Sequence, residues 1–202
     1  MRGLAAEPAE TFGAGVLRAI VLPTDYRRSW TVLRRVYASF VPDVVLHLGL
    51  SRKTEVIALE RHGGRRIRTD RPDAAGFAPV SGWARRIGPD RLTSSLPVEA
   101  ISKALQAAGF PAEISDDAGG YVCGATLYRS LQAAAGTSRL VGFVHVPPEG
   151  AGGYSRDRLK LAAELILRTA VAIRSGSGGE AHVKASLAMF DDGPDREGRR
   201  SI

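Results

Sequence analysis

The stretch GFPAEISDDAGGYVCGATLYRSLQAAAGTSRLVGFVHVPP, Gly109 to Pro148, decides the fold. Pro111–Ile114 reads as a short strand, and Ala118-Gly119-Gly120 opens into a helix over Tyr121–Ala134. Leu140–Val146 (LVGFVHV) is an apolar run of strand length, halted by Pro147-Pro148. Such a run, without polar alternation, is the pattern of a strand covered on both faces. Strand, helix and strand in one short span are the unit of an α/β layered domain.

The same alternation continues outward. Leu17–Leu22 (LRAIVL) is a strand stopped by Pro23, and Trp30, Leu33, Tyr37 and Phe40 lie at helical spacing over Tyr26–Phe40. Pro42 ends that helix; Asp43–Leu48 (DVVLHL) is a buried strand running into Gly49, and Glu55–Leu59 (EVIAL) is another. Gly63–Thr93, rich in Gly, Pro, Arg and Asp, has little periodicity, and a loop that long in a compact domain is functional or mobile. Pro97–Ala108 is a helix with Pro in its first turn and Gly109 just past its end. Arg156–Ile173 is the last helix, with Leu159, Ala162, Ala163, Ile166, Leu167 and Ala170 on one face. After Ser175 the chain turns polar. The expectation is one α/β domain over residues 1–175 and a polar, disordered tail over 176–202, with no internal repeat.

Bulk properties narrow the class. A chain of 202 residues, 44% hydrophobic and 24% charged, is a single globular domain. No apolar run approaches the roughly 20 residues of a membrane helix, so no membrane partner is expected. Met1–Glu10 lacks the apolar core of a signal peptide. One cysteine excludes an internal disulfide and, with no second thiol nearby, a zinc ribbon or a redox pair, so the cytoplasm is the default compartment. The net charge of +7 comes from arginine pairs spread along the chain (Arg27-Arg28, Arg34-Arg35, Arg65-Arg66, Arg85-Arg86, Arg199-Arg200) with no nucleic-acid motif. It reads as a solvated basic surface, not a nucleic-acid face.

Three residues sit where α/β enzymes place reactive groups, at strand ends and strand-to-helix turns. Glu60 follows the EVIAL strand, Cys123 opens a helix, and His145 lies in the LVGFVHV strand. A helix N-terminus and a neighbouring imidazolium favour a thiolate, and the free N–H groups there suit an oxyanion. A carboxylate that orients the imidazole would complete a Cys-His-Glu triad. The bland readings stand beside this one. A lone cysteine in an apolar helix is more often inert core, His145 among Phe143, Val144 and Val146 a core histidine, and Glu60 beside Arg61 half of a surface ion pair. Spacing alone leaves both open.

Several segments, in order, resemble the pyroglutamyl-peptidase (pyrrolidone-carboxylate peptidase) family of cysteine peptidases. They are VLPTDY (Val21–Tyr26), PDVVLHLGL (Pro42–Leu50), ALER (Ala58–Arg61), PDAAG (Pro72–Gly76), SLPVEAI (Ser95–Ile101), GFPAEISDDAGGYVCGATLY (Gly109–Tyr128) and GFVHVP (Gly142–Pro147). The resemblance implies a three-layer α/β/α sandwich around a mixed sheet. It also implies removal of an N-terminal pyroglutamate (5-oxoproline) from peptides without a metal, and a homo-oligomer. Carried over residue by residue, it makes Cys123 the nucleophile, His145 the proton carrier and Glu60 the catalytic glutamate.

The chain also departs from the family pattern. The family opens with a strand and loop of the type V-x-[VL]-T-G-F-x-P-F, which supplies a sheet strand and part of the wall around the pyroglutamyl ring. Met1–Glu10 has nothing like it, so a strand and a pocket wall are expected to be missing, leaving Leu17–Leu22 and Asp43–Leu48 underpaired. Gly124 and Arg65 replace family asparagines, and an ungapped match puts Asp70 at the arginine that assists the oxyanion. Arg71, one place along, could serve if the loop shifts. These departures favour the alternative of a catalytically impaired relative that acts as a binding or assembly protein.

Overall fold

Apolar strand sequences covered by amphipathic helices give the layers. The structure, a computed structural model, describes residues 10–12, 15–84, 87–176 and 183–190. In chain order the elements are β1 (Glu10–Phe12), β2 (Gly15–Leu22), α1 (Arg28–Ser39), β3 (Val44–Leu50), β4 (Ile57–Glu60), β5 (His62–Gly64) and β6 (Arg91–Thr93). They continue with α2 (Val98–Ala107), β7 (Ala112–Ser115), α3 (Val122–Ala134), β8 (Leu140–Val146), α4 (Arg156–Gly176) and β9 (Lys184–Phe190). Seven strands form a mixed sheet in the order β1-β2-β9-β3-β8-β4-β7. Strands β2, β9, β3 and β8 run parallel, and β4 is antiparallel to β8.

Successive side chains of a strand point to opposite faces, and here each face has its own helices. Val44, Leu46 and Leu48 of β3 share a core with Val98, Ile101 and Leu105 of α2 and with Ala162, Ile166 and Leu167 of α4. Val45 of β3 packs on the other face with Val141 and Phe143 of β8 and Leu127 and Leu131 of α3. Ile20 and Leu22 of β2 meet Leu33 and Val36 of α1 on that same side. The result is the expected α/β/α sandwich, with α2 and α4 on one face and α1 and α3 on the other.

Two expectations are corrected. Part of the segment read as a disordered tail is β9, which lies inside the sheet and pairs in parallel with both β2 and β3: Ala188 is the register partner of Ile20 and of His47. The neighbour expected to be missing beside Leu17–Leu22 and Asp43–Leu48 is therefore present: β9 lies between them. Backbone donors and acceptors along both neighbours find partners there, as buried peptide groups must. The N-terminal segment also contributes: β1 pairs antiparallel with β2, Thr11 opposite Val16. The remainder of the expected tail, 177–182 and 191–202, lies outside the described residues.

The aperiodic Gly63–Thr93 stretch is tied down at several points. Strands β5 and β6 pair at its ends, and Arg66 bridges Trp83. Asp73, buried, accepts the backbone N–H groups of Tyr26, Ala75 and Phe77 at 2.9–3.0 Å. A buried carboxylate with three such donors fixes the loop against the start of α1.

Candidate active site

Strand parity brings the three candidate residues to one face. On β8, Val141 and Phe143 face α3, so His145, two residues further on, faces it too. On β4, Ile57 and Leu59 join the α2/α4 core, which turns Ala58 and Glu60 towards α3. Because β4 is antiparallel to β8, Ala58 lies opposite His145 and Glu60 opposite Phe143. Glu60 and His145 are diagonal neighbours, within reach of long side chains. Cys123 is the second residue of α3, above this face.

The side chains meet. His145 Nδ1 lies 2.6 Å from Glu60 Oε1, and the Cys123 side chain is close enough to the imidazole to help hold its proton. The His145 side chain is 14% exposed and that of Glu60 3%, so the pair is shielded while the ring keeps an opening to solvent. Burial by itself disfavours the charged imidazole, but the hydrogen bonds to Cys123 and Glu60 outweigh it and push His145 up to about 9. Glu60 Oε2 has no hydrogen-bond partner among the described residues.

Two glycines make the room. Gly49, at the carboxyl end of β3, is in register with His145, and a Cβ there would lie 2.7 Å from the Phe143 ring and 3.3 Å from Cys123 Sγ. Gly124, next to the thiol, accounts for one departure from the family pattern. A Cβ on it would sit 1.7 Å from the carbonyl oxygen of Gly119, so the turn into α3 occupies the space a side chain would need. Gly119 makes that turn with φ of +76°, a conformation glycine adopts without strain. The N-cap residue Tyr121 makes no side-chain cap hydrogen bond, so the first N–H groups of α3 take none from that side chain.

The other named positions sit around this centre. The Arg71 guanidinium stacks over the Tyr121 ring at 4.5 Å, on the exposed side of the α3 entrance. Asp70 turns away to Arg68, with contacts of 2.6 and 2.9 Å. Arg65 bonds Asp90 at 3.2 Å and covers Trp83. Neither Asp70 nor Arg65 joins the cluster. His47, on the same face of β3, is fully buried, bonds Ser130 at 3.0 Å, and is pushed down to about 3 by burial; it is a core histidine. A cavity of about 350 Å³ lined by Tyr26, Arg27, Phe77, Trp83 and Arg129 shares Tyr26 with this region but includes neither Cys123 nor His145. Among the described residues no group of three His, Cys, Asp or Glu side chains is placed to hold a metal ion. Sequence reading missed Gly49, which shows there only as the residue ending an apolar strand.

An α/β/α sandwich that brings a helix-terminal thiol beside an imidazole hydrogen-bonded to a carboxylate has the arrangement of a cysteine peptidase. A sequence model of the pyroglutamyl peptidase family matches residues 5–156. The pyrrolidone-carboxylate peptidase of Thermococcus onnurineus is 31% identical over 163 residues, covering 80% of this chain and 81% of the relative. Pyrrolidone-carboxylate peptidase 1 of Ralstonia nicotianae is 34% identical over 175 residues, covering 80% of this chain and 81% of its own. The solved structure of the pyrrolidone carboxyl peptidase of Thermococcus litoralis superposes with a TM-score of 0.73 at 25% identity, over 80% of each chain. The chain belongs to the pyroglutamyl peptidase family.

Proposed function

We propose that the chain removes an N-terminal pyroglutamate from peptides, with Cys123 as nucleophile, His145 as proton carrier and Glu60 as the group that orients His145. The observation carrying this reading is the Glu60–His145 contact of 2.6 Å, with Cys123 Sγ over Gly49, the register partner of His145. Cys123 Sγ attacks the carbonyl carbon of the 5-oxoprolyl residue with its proton already held on His145 Nε2. The tetrahedral intermediate collapses, the C–N bond breaks, and His145 returns the proton to the leaving amine. Water then attacks the thioester, giving its proton to the same nitrogen, and 5-oxoproline leaves with the thiol restored.

The oxyanion falls to the first backbone N–H groups of α3, the helix that carries Cys123 as its second residue. Arg71, held on Tyr121, would take part only after the loop shifts. Two reasons to suspect an impaired relative have structural answers: β9 fills the sheet, and the space beside Gly124 is taken by Gly119. No described helix is long and apolar enough to cross a membrane. A soluble, cytoplasmic peptidase without a nucleic-acid partner, assembling from copies of this chain, agrees with that and with the dispersed arginine pairs.

Hydrolysis of a pyroglutamyl aminomethylcoumarin amide tests the reading. The wild-type chain should release the fluorophore, and Cys123→Ala and His145→Ala should each abolish release while remaining folded at the assay temperature. Undiminished release by Cys123→Ala would exclude this nucleophile.

A further inference from the structure

A thiol and a hydroxyl of α3 both meet strand β3. Cys123 Sγ lies over Gly49, and Ser130 Oγ lies 3.0 Å from His47 Nε2. His47 stands two residues before Gly49 and shares its face of the strand. Ser130 follows Cys123 by seven residues, about two helical turns, and shares its face of the helix. The reactive thiol and the hydrogen bond are therefore two ends of one contact between the same helix and the same strand.

The bond is enclosed and braced. His47 and Ser130 are both fully buried, and the Tyr37 hydroxyl of α1 donates to Ser130 Oγ at 2.9 Å. Burial holds the imidazole neutral, so it stays a hydrogen-bonding group without charge. Leu127 and Leu131 of α3 pack with Val45, Val141 and Phe143 of the sheet. Such apolar contacts have no direction and tolerate a small slide, whereas a hydrogen bond weakens steeply once stretched or bent. His47 Nδ1 is buried with no hydrogen-bond partner among the described residues, a cost that an apolar side chain would not carry. The histidine thus gives placement, not stability. Its ring also lies 6.0 Å from the ring of Phe143, which in turn lies 4.7 Å from that of His145.

Resting on the proposed peptidase function, we infer that His47 is a positioning residue: through Ser130 it fixes α3 along β3 at the height that sets Cys123 Sγ beside His145. It touches neither the substrate nor the reacting atoms. Without the bond α3 is held by apolar contacts alone, and a shift of about 1 Å at the sulfur is enough to spoil its attack.

The test uses the full chain with His47→Leu, His47→Gln, Ser130→Ala and the double variant His47→Leu/Ser130→Ala. Glutamine carries an amide at about the reach of Nε2. Hydrolysis of the pyroglutamyl amide, alkylation of Cys123 by iodoacetamide at pH 7 and the thermal midpoint are measured on each. His47→Leu and Ser130→Ala should each lower kcat by about 10- to 100-fold, the scale of a small misplacement, with KM nearly unchanged. Alkylation should slow in both, because the thiol loses its place beside the imidazole. The double variant should be no worse than the poorer single one, since both changes break one bond. His47→Gln should recover most of the lost kcat. Wild-type kcat and alkylation in His47→Leu and Ser130→Ala overturn the inference. So do losses that multiply in the double variant, a His47→Gln no better than His47→Leu, or losses that only follow the unfolded fraction. A wild-type chain that fails to cleave the amide overturns the proposed function instead; the alkylation rates then decide by themselves whether His47 places the thiol.

Discussion

His145 and Glu60 are joined by a 2.6 Å hydrogen bond between strands that run in opposite directions, with Glu60 opposite Phe143 and not opposite His145. The diagonal offset lets the carboxylate reach Nδ1 while Nε2 stays turned to Cys123. Glu60→Gln keeps the shape and removes the charge. It should lower kcat by about 100-fold or more and leave KM nearly unchanged, since in the proposed reaction the carboxylate acts through the imidazole and not on the substrate. A kinetic comparison on the pyroglutamyl amide decides it; wild-type kcat in Glu60→Gln would remove the carboxylate from the reaction.

The proton on His145 contributes to stability over a defined pH range. Its folded value, about 9, lies above the ordinary 6.5, because hydrogen bonds to Cys123 and Glu60 outweigh the opposing effect of burial. The contribution is therefore complete below about pH 6.5 and is lost as pH rises through about 9. Thermal unfolding of wild type and His145→Gln should differ most at pH 6 and converge towards pH 10. A gap that stays constant, or widens with pH, contradicts the assignment of the proton to this ring.

Restoring the family asparagine beside the thiol should harm this chain. A side chain at Gly124 overlaps the carbonyl oxygen of Gly119, whose backbone cannot swing aside without unwinding the entrance to α3. Gly124→Asn should destabilise by about 3 kcal/mol or more, at the upper end of overpacking costs. Gly49→Ala presses on the Phe143 ring, which can shift slightly, and should cost about 1–3 kcal/mol. Denaturant unfolding of both variants checks the order; equal stabilities would mean that the turn before Gly124 is soft.

Most of this was legible because the signals were local. The apolar run Leu140–Val146 is a strand with those bounds, and parity within it turns His145 towards the helix that carries Cys123. The Cys123 and His145 segments carried the family resemblance. Strand β9 was not legible, for a physical reason. Lys184–Phe190 fills its buried positions with Ala185, Ser186 and Ala188, small side chains with little β-propensity, and it follows a Ser/Gly-rich run. Its strand character comes from the two apolar neighbours that need pairing, and local sequence does not record that.

A sheet interrupted between β2 and β3 would leave two rows of peptide groups unpaired and uncover the apolar side chains that β9 shields. Removing residues 177–202 should therefore yield a chain that aggregates or unfolds at ordinary temperature, in contrast to the expectation for a dispensable polar tail. Adding a family-type strand in front of the N-terminus of the intact chain should give no gain in thermal midpoint, because β9 already occupies the space between β2 and β3. The two experiments constrain each other. If the slot is filled by β9, truncation is severe and extension does nothing; if β9 pairs only weakly, truncation is mild and the added strand stabilises by displacing it. Thermal unfolding of the truncated, intact and extended chains separates these outcomes. A soluble truncated chain with the midpoint of the intact one would show that β9 is not what holds β2 against β3.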